Sequence, residues 1–193
     1  LGTPSLSVYE MTAAHCTFTN KGVYTEPVII TRIEDKSGNV LEEFVPRTHE
    51  VMSEQTAYTM MNLMEGVVKY GSGVRLKYRY KLEPPIAGKT GTTQNQSDGW
   101  FIGHTPDLVT GVWVGCEDRA AHFRTIVEGQ GAAMALPIWA LYMQKVYNDK
   151  SVNISTGPFE RPVGELGVEL DCDKYDKLTR TKKGGFTDMD LEF

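Results

Sequence analysis

A lysine, three threonines and two glycines are concentrated in the seven residues 87–93, Ala-Gly-Lys-Thr-Gly-Thr-Thr. Successive side chains of an extended strand point to opposite faces, so Thr90 and Thr92 share one face while Lys89 and Gly91 share the other. An ammonium group, hydroxyl groups and main-chain amides exposed beside glycine can together bind a carboxylate or an oxyanion. The segment therefore predicts an anion-binding strand.

Two other interpretations of this segment compete with an anion site. Gly88-Lys89-Thr90 is also the end of the phosphate-loop motif G-x-x-x-x-G-K-[ST]. That motif needs its first glycine where Glu83 stands, and Pro84 and Pro85 stiffen the place where the loop must curl. A nucleotide-binding loop is therefore rejected. For K-T-G taken alone, a polar edge strand that ends in a Gly-Thr turn and binds nothing stays open.

Together with the segments around it, this strand resembles the transpeptidase domain of class A penicillin-binding proteins. K-T-G is one of the three motifs of that superfamily. Here it is followed by Asp98-Gly-Trp-Phe-Ile-Gly-His-Thr-Pro106 and by Val109-Thr-Gly-Val-Trp-Val-Gly115. Gly71-Ser-Gly73 is similar to the family's Gly-Thr-Gly, and Ala135-Leu-Pro-Ile-Trp139 to its last helix.

The resemblance implies an α+β fold in which an antiparallel sheet packs with helices, as part of a penicillin-binding protein and serine β-lactamase-like domain. Residues 1–150 are identified as the C-terminal portion of a transpeptidase domain. The similarity fades in residues 151–193, which are polar and are expected to form a loosely ordered extension.

The resemblance also implies a function and residue roles. The family cross-links peptidoglycan stem peptides by serine acyl transfer and is acylated by β-lactams. Carried over, Lys89 supplies positive potential at the nucleophile and the substrate carboxylate, which Thr90 and Thr92 bind. The N–H of Thr92 forms one arm of the oxyanion hole. Gly91, lacking a side chain, lets the nucleophile's helix approach.

The nucleophile itself is missing from these residues. No serine in the sequence has a lysine three residues later, and the nearest match is Ser72-Gly-Val-Arg75. Ser37-Gly-Asn39 has the form of the second motif, S-x-N, but is interpreted as a hairpin turn. The resemblance implies that the nucleophile, the second motif, a glycosyltransferase domain and a membrane anchor lie upstream. We therefore expect this chain to be a fragment of a cell-envelope enzyme and inactive alone. A non-catalytic module that binds D-Ala-D-Ala termini stays open.

The composition suits one globular unit and excludes several partners. The chain has 193 residues, 40% of them hydrophobic, with a formal net charge of -5 and a pI near 5.4. An acidic balance argues against nucleic acid, which needs a basic face. Cys16, Cys116 and Cys172 lie too far apart for a C-x-x-C metal site. No metal or cofactor is expected, and the histidines are interpreted as surface or satisfied residues: His15, His49, His104 and His122.

Local patterns predict the elements that must position the strand. Ser7 and Glu10 form a capping box that opens a helix ending near Asn20, and Ser53 caps a second helix that stops at Gly71. Between them, residues 24–35 and 40–45 read as a β-hairpin. Residues 75–81 read as a basic loop.

After the lysine segment, the alternating side-chain pattern of residues 100–105 and 108–115 predicts an antiparallel hairpin. A polar connection follows, and then a helix is predicted over residues 132–147. Five of that helix's residues are expected to pack on the sheet: Ile138, Trp139, Leu141, Tyr142 and Val146. In the family the strand beside 108–115 comes from upstream. Leu108 to Gly115 is therefore expected to be an open edge, through which the chain pairs with another copy or which a rearranged sheet covers.

Overall fold

Three strands that follow one another along the chain form the sheet that carries the predicted site. In the computed structural model, which describes residues 4–171 and 174–175, β5 Ala87–Thr92, β6 Asp98–His104 and β7 Val109–Gly115 form an antiparallel sheet in that order. Lys89 lies opposite Ile102, and Trp100 lies opposite Trp113. The prediction of three consecutive antiparallel strands within an α+β fold is confirmed.

The remaining elements are helices and short strand pairs. The helices are α1 Val8–Thr19, α2 Glu54–Lys69, α3 Arg75–Tyr78, α4 Ile126–Gly129 and α5 Gly131–Asn148. The other strands are β1 Val23–Thr25, β2 Arg32–Glu34, β3 Val40–Glu43 and β4 Thr48–Glu50. Within the described residues, no helix is both long and apolar enough to span a bilayer.

The last long helix, α5, covers one face of the sheet. Phe101 of β6 and Trp139 of α5 are fully buried there, with ring centroids 5.2 Å apart in an edge-to-face arrangement. Gly103 allows this close approach, because a side chain at that position would overlap the Trp139 indole. Leu76 of α3 reaches the same core and is fully buried.

Helices α1 and α2 cover the opposite face. Ala87 of β5 packs there against Met61 and Met64 of α2, and Phe18 and Phe159 pack around this cluster. The capping box predicted at Ser7 and the cap predicted at Ser53 both form, so both helix starts are confirmed. Because α1 and α2 share one face while α5 holds the other, the sheet lies between two helical layers.

The region between α1 and α2 differs from its prediction. The hairpin of β2 and β3 forms, but the long first strand expected over residues 24–35 does not. Pro27, which lacks an N–H, interrupts it, and β1 pairs instead with β4. The strand β4 was not predicted, because Thr48-His-Glu50 has no apolar alternation.

Two further predictions need correction. The basic segment expected to be a loop contains the short helix α3, anchored by buried Leu76. In α5, Trp139 and Val146 pack on the core as expected, but three other residues predicted to pack are largely exposed: Ile138 by 51%, Leu141 by 54% and Tyr142 by 44%. The helical period places those three residues opposite the buried stripe. Because α5 is apolar on all sides, the sequence does not distinguish its buried face from its exposed face.

The segment after residue 150 makes several contacts with the rest of the chain. The Ser155 N–H donates to an Asp107 carboxylate oxygen over 2.6 Å. Lys21 forms ion pairs with Glu54 and Glu160. The loosely ordered extension over 151–193 stays a prediction, and most of it past residue 171 lies outside the described residues.

Candidate active site

The strand β5 sorts its polar side chains onto two faces. Ile86, just before it, belongs to the core under α5, whereas Ala87 packs on α2. By alternation Thr90 and Thr92 lie on the α5 face, and Lys89 lies on the α2 face. The side chains of Lys89 and Thr92 are exposed, and Thr90 is half-buried. The separation expected from the sequence is therefore present.

The main chain of β5 points its N–H and C=O groups away from β6 at the two threonines. The Thr93 N–H donates to Asp98 O over 3.1 Å, so that pair bonds inward to β6. Bonded pairs alternate along an antiparallel ladder, which leaves the N–H and C=O of Thr90 and Thr92 pointing away from β6. Since β5 is the first strand of its sheet, these groups line an edge.

The hydroxyl groups of Thr90 and Thr92 each form a hydrogen bond with a residue outside the strand. Ser72 Oγ lies 2.6 Å from Thr90 Oγ1. The N–H of Gly131, at the start of α5, donates to Thr92 Oγ1 over 3.0 Å. Arg75 holds the next residue of α5 by donating from Nη1 to Ala132 O over 3.2 Å. The turn after α2 and the start of α5 therefore fix the threonine side of the site.

The lysine side of the site is open. Lys89 Nζ donates to its neighbour's carbonyl, Thr90 O, over 2.7 Å. Among the described residues, no carboxylate forms an ion pair with it. The ammonium charge therefore remains available to an anion at the strand edge.

Gly91 lies on the same face as Lys89 and faces Trp100. A Cβ added at Gly91 would lie 3.1 Å from Trp100 Cβ, a tight contact. Trp100 and Trp113 pair there with ring centroids 6.5 Å apart, and Trp113 is 38% exposed. A side chain at Gly91 would therefore crowd Trp100 on the neighbouring strand.

Two histidines form a pair that the sequence did not predict, in which His104 is fully buried and His15 is half-buried. His104 Nε2 lies 3.1 Å from His15 Nδ1, and His104 Nδ1 lies 2.8 Å from Thr19 Oγ1. Burial lowers the pKa of His15 to about 4; burial and the charge of His15 lower the pKa of His104 to about 3. Alternation along β6 places His104 on the same buried face as Ile102, which was the one available signal. His104 pairs with Ala87, at the opposite end of β5 from Thr92.

The segment Ser37-Gly-Asn39 lies in the turn between β2 and β3, as expected. The Asp35 carboxylate accepts hydrogen bonds there from the N–H groups of Ser37 and Asn39. Gly38 has a positive φ of 84°. These residues are fully explained by the turn, so the interpretation as a hairpin turn is confirmed.

The segment that contains β5 matches a known protein family. The family model described as "Penicillin binding protein transpeptidase domain" matches residues 2–117, more than half of the chain. The chain belongs to this family. The resemblance stated from the K-T-G strand and its flanking segments is confirmed, and the chain is a portion of a transpeptidase domain.

Relatives of the transpeptidase family cover most of the chain. Penicillin-binding protein 1A of Aquifex aeolicus is 38% identical over 146 residues, which make up 76% of this chain and 19% of that protein. The crystal structure of Penicillin-Binding Protein 1A from Haemophilus influenzae gives a TM-score of 0.70 at 25% identity, over 86% of this chain and 29% of that one. The structure of PonA1 from Mycobacterium tuberculosis in complex with penicillin V gives a TM-score of 0.66 at 26% identity. That match covers 83% of this chain and 42% of the PonA1 chain. The chain spans about a fifth of the length of the curated relatives that it matches.

Proposed function

We propose that this chain supplies the K-T-G strand of a peptidoglycan D,D-transpeptidase that works by serine acyl transfer. The observation that carries the proposal is the edge of β5, where Thr90 and Thr92 point their main-chain groups outward and have fixed hydroxyls. Membership of the transpeptidase family supports the reaction class.

In the proposed reaction, a serine from outside this chain attacks the carbonyl of the penultimate D-Ala of a donor stem peptide. The hydroxyls of Thr90 and Thr92 bind the terminal carboxylate, and Lys89 adds positive potential from the other face of the strand. The outward N–H of Thr92 donates to the oxygen that becomes negative in the tetrahedral intermediate. One such donor contributes about 3 to 4 kcal/mol of barrier reduction. Gly91 leaves room for the helix that carries the serine.

The proposal assigns partners and a location. Peptidoglycan stem peptides are the substrates, and β-lactams acylate the same serine because they resemble the D-Ala-D-Ala terminus. We assign the whole protein to the bifunctional class, with a glycosyltransferase domain and a membrane anchor outside this chain. Its transpeptidase domain would then work on the extracytoplasmic side of the membrane, without metal or cofactor.

The test is covalent labelling with a fluorescent penicillin, applied to this chain alone and to the complete domain. We expect the complete domain to be labelled stoichiometrically in a form that survives denaturation. We expect no adduct on this chain, because none of its serines precedes a lysine by three residues. An unlabelled complete domain would contradict the proposal, and a labelled isolated chain would contradict the assignment of the nucleophile.

A non-catalytic module that binds D-Ala-D-Ala termini is the second candidate, favoured by the absence of any S-x-x-K segment in the sequence. Such a module would use the same strand and the same two threonines. It would retain a D-Ala-D-Ala peptide in a titration with the complete protein and would form no acyl adduct with penicillin.

We further propose that the isolated chain self-associates through the predicted edge at Leu108 to Gly115. The strand β7 is the last in its sheet. The Thr105 N–H donates to Leu108 O over 2.8 Å, so alternation turns the main chain of Val109, Gly111 and Trp113 away from β6. Unpaired N–H and C=O groups on a β-rich strand favour pairing with another copy.

A further inference from the structure

The turn between α2 and α3 brings one serine hydroxyl to the candidate site. Ser72 Oγ lies 2.6 Å from Thr90 Oγ1, although 18 residues separate the two along the chain. This is a short distance for two hydroxyl groups, as expected for a well-formed hydrogen bond.

The backbone on both sides of Ser72 is fixed. The N–H groups of Gly71 and Gly73 donate to Val67 O at the end of α2, over 3.1 and 3.0 Å. A Cβ added at Gly71 would lie 3.0 Å from that same oxygen, and one at Gly73 would lie 3.2 Å from it. The turn therefore packs directly onto α2, and Ser72 is held where its hydroxyl meets β5.

The hydrogen-bonding capacity of a hydroxyl decides what Ser72 does there. Each hydroxyl has one hydrogen to donate and two lone pairs to accept with. Without an anion, either Ser72 or Thr90 can be the donor. Once a carboxylate accepts the hydrogen of Thr90, only Ser72 has a hydrogen left for their contact. Donation by Ser72 then polarises the Thr90 hydroxyl toward the anion.

Thr92 shows the same arrangement with a different donor. Its Oγ1 accepts from the Gly131 N–H over 3.0 Å, which leaves the hydrogen of its hydroxyl free for an anion. At Thr92 the supporting donor belongs to the main chain. At Thr90 it belongs to a side chain and can be removed by substitution.

We propose that Ser72 is a positioning residue for the acyl-transfer reaction: its hydroxyl orients and polarises Thr90 for binding the substrate carboxylate. The proposal rests on the function proposed above. It predicts that the effect of Ser72 requires a hydroxyl at residue 72, the hydroxyl of Thr90 and a negative charge on the ligand.

The experiment measures acylation of the complete transpeptidase domain by benzylpenicillin and by its methyl ester, which lacks the carboxylate charge. The variants are Ser72→Ala, Ser72→Thr, Ser72→Cys, Thr90→Ala and the double variant Ser72→Ala with Thr90→Ala. Acylation rate and apparent affinity are determined separately, and thermal unfolding shows whether each variant is folded. Ser72→Cys keeps the size of the side chain with a poor donor, so it replaces Ser72→Ala should that variant fail to fold.

We expect Ser72→Ala and Ser72→Cys to lower acylation efficiency with benzylpenicillin about 10-fold, mainly through weaker affinity. Ser72→Thr keeps the hydroxyl and should stay within about 2-fold of wild type. In the Thr90→Ala background, and with the methyl ester, loss of the Ser72 hydroxyl should change the efficiency by less than about 2-fold.

Three results would overturn the positioning role. One is wild-type efficiency in Ser72→Ala, and another is an equal loss in Ser72→Thr and Ser72→Ala. The third is an undiminished effect in the Thr90→Ala background or with the ester, which would mark Ser72 as a structural residue only. A wild-type domain that neither β-lactam acylates would overturn the proposed function, and the positioning role with it.

Discussion

Lys89 combines an exposed charge with few contacts, so its proposed role in the site is electrostatic. Its ammonium group bonds only to the carbonyl of the next residue in the described structure. Thr90 and Thr92, in contrast, are tied to Ser72 and to the start of α5. Substitutions at Lys89 should therefore change reaction rates without changing the fold.

In the complete domain, Lys89→Ala should slow acylation by benzylpenicillin about 100-fold or more, because the positive potential at the nucleophile and the carboxylate is lost. The melting temperature should change by no more than about 2 °C. Stopped-flow acylation kinetics and thermal unfolding check this. The control is Lys36→Ala, which removes an exposed lysine from the turn between β2 and β3. Equal acylation kinetics in wild type and Lys89→Ala would remove Lys89 from the mechanism.

The pair of half-buried His15 and fully buried His104 predicts a pH dependence of stability. Both pKa values are lowered, to about 4 for His15 and about 3 for His104, against an ordinary value of 6.5. Below pH 6.5 the unfolded state therefore binds protons that the folded state does not. The free energy of unfolding should rise with pH between 4 and 6.5, by up to about 1.4 kcal/mol per pH unit for each histidine, and level off above that window.

Urea unfolding at a series of pH values measures this slope. Carboxylates with lowered pKa values, such as Asp35 and Asp149, also lose stabilising effect on acidification, but at pH values near or below their ordinary range. His104→Gln should reduce the slope between pH 5 and 6.5, and His49→Gln, at an exposed position, should leave it unchanged. A wild-type slope near zero across that window would contradict the burial of the neutral pair.

At the scale of elements, the distance between β6 and α5 depends on a glycine. The ring of Trp139 lies directly over Gly103, and both residues are buried. Gly66, on α2, has no heavy atom within 4 Å of the position that a Cβ would occupy. The two glycines therefore offer a matched pair of substitutions with opposite expected effects.

Gly103→Ala should lower the free energy of unfolding by about 3 kcal/mol, because the new methyl group overlaps the indole and α5 must shift. Gly66→Ala should raise it by about 0.5 to 1 kcal/mol through helix propensity alone. Urea or thermal unfolding measures both. If Gly103→Ala were as stable as wild type, α5 would not pack on the sheet as described.

At the scale of the whole molecule, β7 presents an open edge. Its side chains alternate between α5, where Val112 and Val114 pack, and the face of α1. Substituting Val112 would damage the core, but Thr110 is a half-buried polar residue outside the core cluster. Thr110→Lys places a charge on the edge strand, a common natural protection against pairing.

We expect the isolated chain to form dimers or larger species as its concentration rises, and Thr110→Lys to be monomeric under the same conditions. Static light scattering coupled to size exclusion measures the mass. Ser151→Lys adds the same charge at an exposed residue far along the chain and should associate like wild type. A wild-type chain that stays monomeric at the highest concentration would contradict the proposed edge pairing.

The prediction of individual elements succeeded where the signal was local. The capping box at Ser7, the cap at Ser53 and the alternation of the β6–β7 hairpin each involve residues close in sequence, and each appears in the structure. The strand pair of β1 and β4 was missed because its residues are polar and its partners are remote. The exposed face of α5 was missed because Ile138, Leu141 and Tyr142 are as apolar as the residues that pack.

By itself, the sequence determined the family, the order of the main elements and the K-T-G strand with its two faces, because residue type and short-range periodicity encode these features. Only the tertiary structure decided that Ser72 meets Thr90, that the start of α5 meets Thr92 and that His15 meets His104. The two side-chain contacts join residues 18 and 89 positions apart. Nothing in the local pattern specifies such contacts, because they arise when packing brings the turn after α2, the helix α1 and the sheet together.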